Sequence, residues 1–308
     1  MRRIKFFALL SLLFFVFFCG CSKETSLQAP KPGGGARRST RQVLTPSAPG
    51  TVIYESEDLL LDASNTDQGY LMVKWLKEES KIKLQMSGPS NITYTYNLPA
   101  DNNWHVYPFT QGSGSYTINI YENLHDNQYY LNFSQKLSAV LTDELTPFLY
   151  PNEYVNFNEQ TQAVTLAEEL AADSDDDLDV ISSVFYYIVT NISYDYEKAA
   201  SVKSGYTPVI DETLESQSGI CMDYAALMTC MLRSQQIPAK LEVGYTGDVY
   251  HAWISAWVKD KGWIYNLIEF DGTSWNMMDP TFASTESQGK DLSNYIKNDD
   301  SYFIKYSY

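Results

Sequence analysis

The sequence predicts an α+β protein, an immunoglobulin-like antiparallel β-sandwich followed by a unit in which helices pack on a second antiparallel sheet. Three observations carry this. Apolar and polar residues alternate with period two through residues 51–145. After Pro151 the period becomes helical, as in DSDDDLDVISSVFYYIVT at 173–190. Alternation then returns in YHAWISAWV at 250–258. Strand side chains point to alternate faces, whereas helical side chains recur on one face about every 3.6 residues.

Composition bounds the possibilities. With 44% hydrophobic and 19% charged residues, the chain can build packed cores, and its 308 residues allow about two domains beyond a leader. Twenty-four tyrosines favour a β-rich part and surfaces that face carbohydrate or peptide. The net charge of −16 is uneven: residues 1–42 hold eight Lys or Arg against Glu24 alone, a balance of +7, so the rest carries −23. Phosphate recognition rests on Lys and Arg, and a body this acidic argues against nucleic acid.

The chain opens MRRIKFFALLSLLFFVFFCGCSKE. Arg2, Arg3 and Lys5 precede an apolar run, Phe6 to Phe18, that is too short for a membrane span and fits a secretory leader. Its end, FCGC, resembles a bacterial lipoprotein lipobox, with Phe18 and Cys19 where Leu and a small residue are usual. The resemblance implies cleavage after Gly20, a lipid on Cys21, and an extracytoplasmic body anchored to the cell membrane. Residues 1–20 are thus expected as signal peptide and 21–50, rich in Pro, Gly, Ser and basic residues, as a flexible tether.

The sandwich is expected over 51–150. Ile82, Leu84 and Met86 alternate with polar neighbours, as do Ile92, Tyr94, Tyr96 and Leu98, then Tyr116, Ile118 and Ile120, then Tyr129, Leu131 and Phe133. The turn signals SGPSN, PADNN, GSGS and HDNQ separate them. His105 and His125 read as turn or surface residues.

The second domain is expected over 151–308. Leu178, Ile181, Val184, Phe185 and Ile188 fall at helical spacing, and Ser174 with Asp177 resembles a capping box. The alternating acids Asp173, Asp175, Asp177 and Asp179 invite a calcium loop. Such a loop needs Gly at its sixth position and Glu at its twelfth, which here are Leu178 and Val184. The acids therefore mark a helix start.

In SGICMDYAALMTC, 218–230, Gly219 breaks the chain and a helix follows, with Ala225, Met228 and Leu232 on one side and Ala226, Thr229 and Arg233 on another. Across nine helical positions Cys221 and Cys230 lie on opposite faces, roughly 13 Å apart along the axis. A disulfide needs Cα atoms within about 7 Å, so the thiols have separate fates. Cys221, at the positive helix start, is favoured as thiolate; Cys230 reads as a buried small hydrophobe. A thiolate nucleophile needs an oriented base. His251 is the histidine that follows Cys221, and it shares a strand face with Trp253, Ser255 and Trp257. A hairpin comes next: GWIYNLIEF, the turn signal Asp271-Gly272, then SWNMMDPT, which stops at Asp279 before Pro280.

GICMDYAALMTCMLRSQQIPAKLEVGY, then HAW, then MMDPTF, with NISYDYE as lead-in, resemble the core of the transglutaminase-like superfamily, a papain-like fold, over about residues 180–284. The resemblance implies Cys221 as nucleophile, His251 as general base and acid, and Asp279 as the residue that orients His251. It implies attack on an amide or peptide carbonyl, a thioester, and resolution by an amine or by water. The Cys221 N–H is one expected oxyanion donor, and Gln217 and Tyr194 are candidates for the second. Neither metal nor cofactor is expected. The expected partners are a protein or peptide at the cell surface or wall, and the membrane through the lipid. The rival readings are a catalytically inactive peptide- or wall-binding lipoprotein, and a sandwich that binds wall glycan.

Overall fold

Alternation between residues 53 and 139 closes into two stacked four-stranded sheets. The computed structural model describes residues 33–37, 39–78, 80–246, 248–265, 269–270, 275–276 and 302–308. The eight strands are β1 (Ile53–Glu55), β2 (Leu59–Asp62), β3 (Tyr70–Trp75), β4 (Ile82–Ser87), β5 (Thr93–Leu98), β6 (His105–Pro108), β7 (Gly114–His125) and β8 (Gln128–Ala139). One sheet runs β1-β2-β3-β6 and the other β5-β4-β7-β8, antiparallel throughout. Ile82, Leu84 and Met86 are buried while Lys83, Gln85 and Ser87 are not, as a half-wet strand requires. Trp75, Tyr96, Tyr107 and Tyr116 fill the space between the sheets.

The expected buried face of β8 forms only in part: Leu131 is 52% exposed, whereas Phe133 and Leu137 pack against the core and Ala139 is buried. β8 is an edge strand, and its register with β7 shifts at Ile120/Tyr121 and again at Asn123/His125. Each shift exchanges the side chains that face the core.

The tether also differs from expectation, since its described part is docked from Ala36 on. The Ala36 N–H donates to Asp175, and the Arg37 N–H donates to the Ser174 carbonyl. Arg37 pairs with Asp177 and reaches the Gln235 carbonyl at 2.7 Å, and Arg41 pairs with Glu168. The acid run thus holds a basic strap.

Helices follow: α1 (Gln162–Ala171) and α2 (Asp177–Asn191). The α2 cap is Asp176, whose carboxylate accepts the Asp179 N–H, and not Ser174, which lies in the strap contact. The predicted face is otherwise as read: Ile181, Val184, Phe185 and Ile188 are buried. Next come β9 (Ser193–Tyr194), α3 (Tyr196–Ser201), α4 (Ile210–Ser216), β10 (Ser218–Gly219) and α5 (Cys221–Ser234). α5 is buried all round from Asp223 to Ser234, packed by α1, α2 and α4 on one side and by strands on the other. Each fully buried Leu or Met contributes roughly 1.5–3 kcal/mol to holding it there. Among those residues is Arg233, which donates to the carbonyls of Tyr150, Ala239 and Tyr308.

The strands are β11 (Ala239–Thr246), β12 (Val249–Val258) and β13 (Gly262–Ile264), with β16 (Tyr302–Ser307) returning beside β11 in the order β13-β12-β11-β16. Between them in the chain, β14 (Glu269–Phe270) pairs with β15 (Trp275–Asn276), which is the hairpin expected around Asp271-Gly272. Tyr308 packs its ring on Tyr154, 4.3 Å between centroids, and edge-on against Tyr94 and Tyr96 of the sandwich. The two parts therefore share one core.

Candidate active site

Cys221 is the first residue of α5. The helix starts there because Gly219 lets the chain turn tightly: a Cβ on it would stand 2.7 Å from Asp223 Cβ. Asp223, at the third helical position and fully buried, accepts the Ile220 N–H at 2.8 Å. The same carboxylate takes the Lys198 ammonium at 2.7 Å and the Tyr206 hydroxyl. Lys198 stands on α3, which Asp195 caps through the Lys198 N–H.

The lead-in NISYDYE has a structural meaning. Its Ser193 and Tyr194 pair in parallel with Ser218 and Gly219, just before Cys221. The Tyr194 hydroxyl lies at the Cys221 backbone N–H and close to the thiol, and burial pushes it up to about 12. Gln217 is brought near in the chain but plays a backbone part. It sits in the left-handed region at φ 52°, and its carbonyl accepts the Ser193 N–H and hydroxyl while its side chain is exposed.

β12 supplies the other half. The Cys221 thiol is reached by the N–H of Ala252, the residue after His251, and also by those of Met222 and Cys221 itself. These N–H groups favour thiolate, as the helix start predicts. Burial outweighs them and Asp223 adds repulsion, so the thiol is held above the ordinary cysteine range. The expectation of a thiol favoured as thiolate by its helix start is corrected here. His251 is 8% exposed, and burial pulls it down to about 4. Its Nε2 is buried and has no partner among the described residues. At neutral pH both groups are therefore uncharged. His251 stacks beside Trp253, with 6.3 Å between ring centroids, on the strand face expected for them. Trp253 and Ser255 donate to Glu242 at 3.0 and 2.7 Å, which locks that face. Asp279, expected to orient His251, and Cys21, expected to carry lipid, lie outside the described residues.

Sequence reading missed the Asp223–Lys198–Tyr206 network. Its one local signal was an acid at the third position of a predicted helix. Cys230 is fully buried on the same helix as Cys221, and both are free thiols.

Residues 164–266 match the model of the transglutaminase-like superfamily. That span contains Cys221 and His251 and ends before Asp279. Over 119 residues the chain is 28% identical to the uncharacterized protein YebA of Bacillus subtilis, covering 32% of this chain and 16% of YebA. It thus spans about a sixth of that relative's length. Among solved structures, the periplasmic domain of TgpA from Pseudomonas aeruginosa is 16% identical with a TM-score of 0.33, covering 72% of this chain and 74% of that one. Red sea bream transglutaminase is 10% identical with a TM-score of 0.34, covering 72% of this chain and 52% of its own.

Proposed function

With a transglutaminase-like domain at residues 164–266, we propose that the chain is a cysteine acyl-transfer enzyme acting on amide or peptide bonds. In this reading Cys221 is the nucleophile, His251 the base and acid, and Asp279 the residue that orients His251. The observation that carries it is the Cys221 thiol at the start of a buried helix, against the N–H of the residue after His251.

The chemistry follows from the resting state. The thiol gives its proton to the neutral imidazole as sulfur attacks the carbonyl carbon. The breaking C–N bond leaves with the amine, which takes that proton from His251, and a thioester remains. An amine or water then attacks the thioester, again through His251, and the thiol is restored. The Cys221 N–H stabilises the oxyanion, and the Tyr194 hydroxyl, now facing that N–H, turns to donate beside it. A neutral pair suits a base that must accept a proton during attack.

The leader and FCGC support an extracytoplasmic, lipid-anchored location through Cys21. The substrate is then a protein or peptide at the cell surface or wall. Assays for incorporation of dansylcadaverine into casein and for cleavage of a peptide mixture test the enzyme reading. Product in either, lost in Cys221→Ala, supports it; none in either sinks it. A second reading, an inactive peptide- or wall-binding lipoprotein, is favoured by one observation, the raised thiol of Cys221. Peptide retention without turnover would establish that reading instead.

A further inference from the structure

A separate cleft of about 490 Å³ lies where the sandwich meets the helical part. Asn97, Trp104, Asn152, Glu153, Asn156 and Asn158 are among its lining residues. The docked strap adds Val43 to Pro46 to the lining. Gly205, at φ +86°, brings the loop before α4 so near that a Cβ there would stand 3.0 Å from Asn97 Nδ2.

Two polar groups of the lining lack partners among the described residues. Asn152 is buried, and its Oδ1 accepts the N–H groups of Tyr154 and Val155, each at 3.0 Å. Those bonds fix the amide, since a flipped one would set N–H against N–H. Its Nδ2 is then a buried donor with no partner among the described residues. On the next residue, Glu153 Oε1 takes the Asn97 N–H at 3.4 Å, while the buried Oε2 has no partner among the described residues. Unmet buried polar groups are costly and mark places where a ligand or water belongs.

We propose that this cleft binds a neutral saccharide. Sugar hydroxyls both donate and accept, which matches an unmet acceptor, Glu153 Oε2, and an unmet donor, Asn152 Nδ2, on adjacent residues. The apolar face of a pyranose suits the half-buried indole of Trp104. Asn156 and Asn158, both exposed at the mouth, offer further amide partners. An acidic ligand meets a carboxyl and an acidic body. An ammonium ligand finds one carboxyl only, which burial pushes up to about 7, so that it is half protonated at neutral pH. The site is independent of the acyl-transfer reading.

The test is titration of the full chain with triacetylchitotriose, cellotriose and maltotriose up to about 10 mM, followed by calorimetry and tryptophan fluorescence. The expected result is saturable binding of at least one sugar with Kd of about 1 mM or tighter, weakened at least about tenfold in Trp104→Ala and in Asn152→Asp. Asn152→Asp keeps the acceptor that Tyr154 and Val155 use and puts a carboxyl oxygen where the donor stood. If either variant fails to fold, Glu153→Gln, close in shape, takes its place with the same expectation. No saturable binding of any of the three sugars overturns the proposal. So does unchanged affinity in the folded variants, or saturable binding of acetyl-lysine amide in place of sugar.

Discussion

The Tyr206 hydroxyl donates to Asp223 Oδ1, while Oδ2 of the same carboxylate takes Lys198 and the Ile220 N–H. The loop carrying Tyr206 is thereby tied to the helix start that carries Cys221. Gly205 and Thr207, on either side of Tyr206, line the second cleft. One buried carboxylate thus fixes both the helix that begins at Cys221 and the loop that carries Tyr206.

Asp223→Ala should strand Lys198, Tyr206 and the Ile220 N–H together. Removing one partner of a buried pair costs on the order of 3–5 kcal/mol. Tyr206→Phe removes a single hydrogen bond and should cost on the order of 1 kcal/mol. Urea midpoints at constant slope check both. Equal, small losses would mean that the network is not what holds the helix start.

Arg233 is a fully buried cation bonded to three backbone carbonyls, and burial pulls it down to about 9. Arg233→Met fills similar space but leaves the Tyr150, Ala239 and Tyr308 carbonyls without that donor. A loss of about 3 kcal/mol is expected in denaturant unfolding.

Stability against pH holds two opposed contributions. Burial lowers His251 from 6.5 to about 4, so the unfolded chain binds that proton first. Its contribution is full above about 6.5 and is lost as pH falls toward 4, on the order of 3 kcal/mol in all. Burial raises Glu153 from 4.5 to about 7, so the folded chain binds that proton first. Its contribution is full below about 4.5 and is lost as pH rises through 7. Glu153→Gln should therefore unmask a steeper rise in stability from pH 4 to 6.5 than the wild type shows. Urea midpoints across that range measure it, and parallel curves would exclude the opposition.

Cys230 is fully buried and its thiol is pushed far up by burial, whereas Cys221 is partly exposed. In the folded protein iodoacetamide should label Cys221 and spare Cys230, as peptide mapping would show. Cys230→Ala should cost on the order of 1 kcal/mol with little change in any activity.

What the sequence disclosed was local. Ile82, Leu84 and Met86 show their burial in their spacing, and Gly219 before Cys221 shows a helix start. The hairpin at Asp271-Gly272 was legible in the same way. What it hid was non-local. Nothing near Arg37 in the chain points to Asp177 or to the Gln235 carbonyl, so a docked strap reads as a tether. The return of β16 beside β11 is likewise set by a partner about 60 residues away and not by any pattern of its own. The Cys221 thiol shows the same limit in chemistry. A helix start is visible in sequence, but the burial that outweighs it is a property of the assembled core.

In the proposed reaction His251 acts on the Cys221 thiol. The direct measurement is the rate of Cys221 alkylation by iodoacetamide against pH, in wild type and in His251→Ala. Burial alone would confine reaction to pH above the ordinary thiol value of about 8.5. A reactive limb near neutral pH is expected in the wild type, where the imidazole takes the proton. In His251→Ala that limb should vanish, leaving reaction only at alkaline pH. Superimposable profiles in the two proteins would mean that His251 does not act on the thiol.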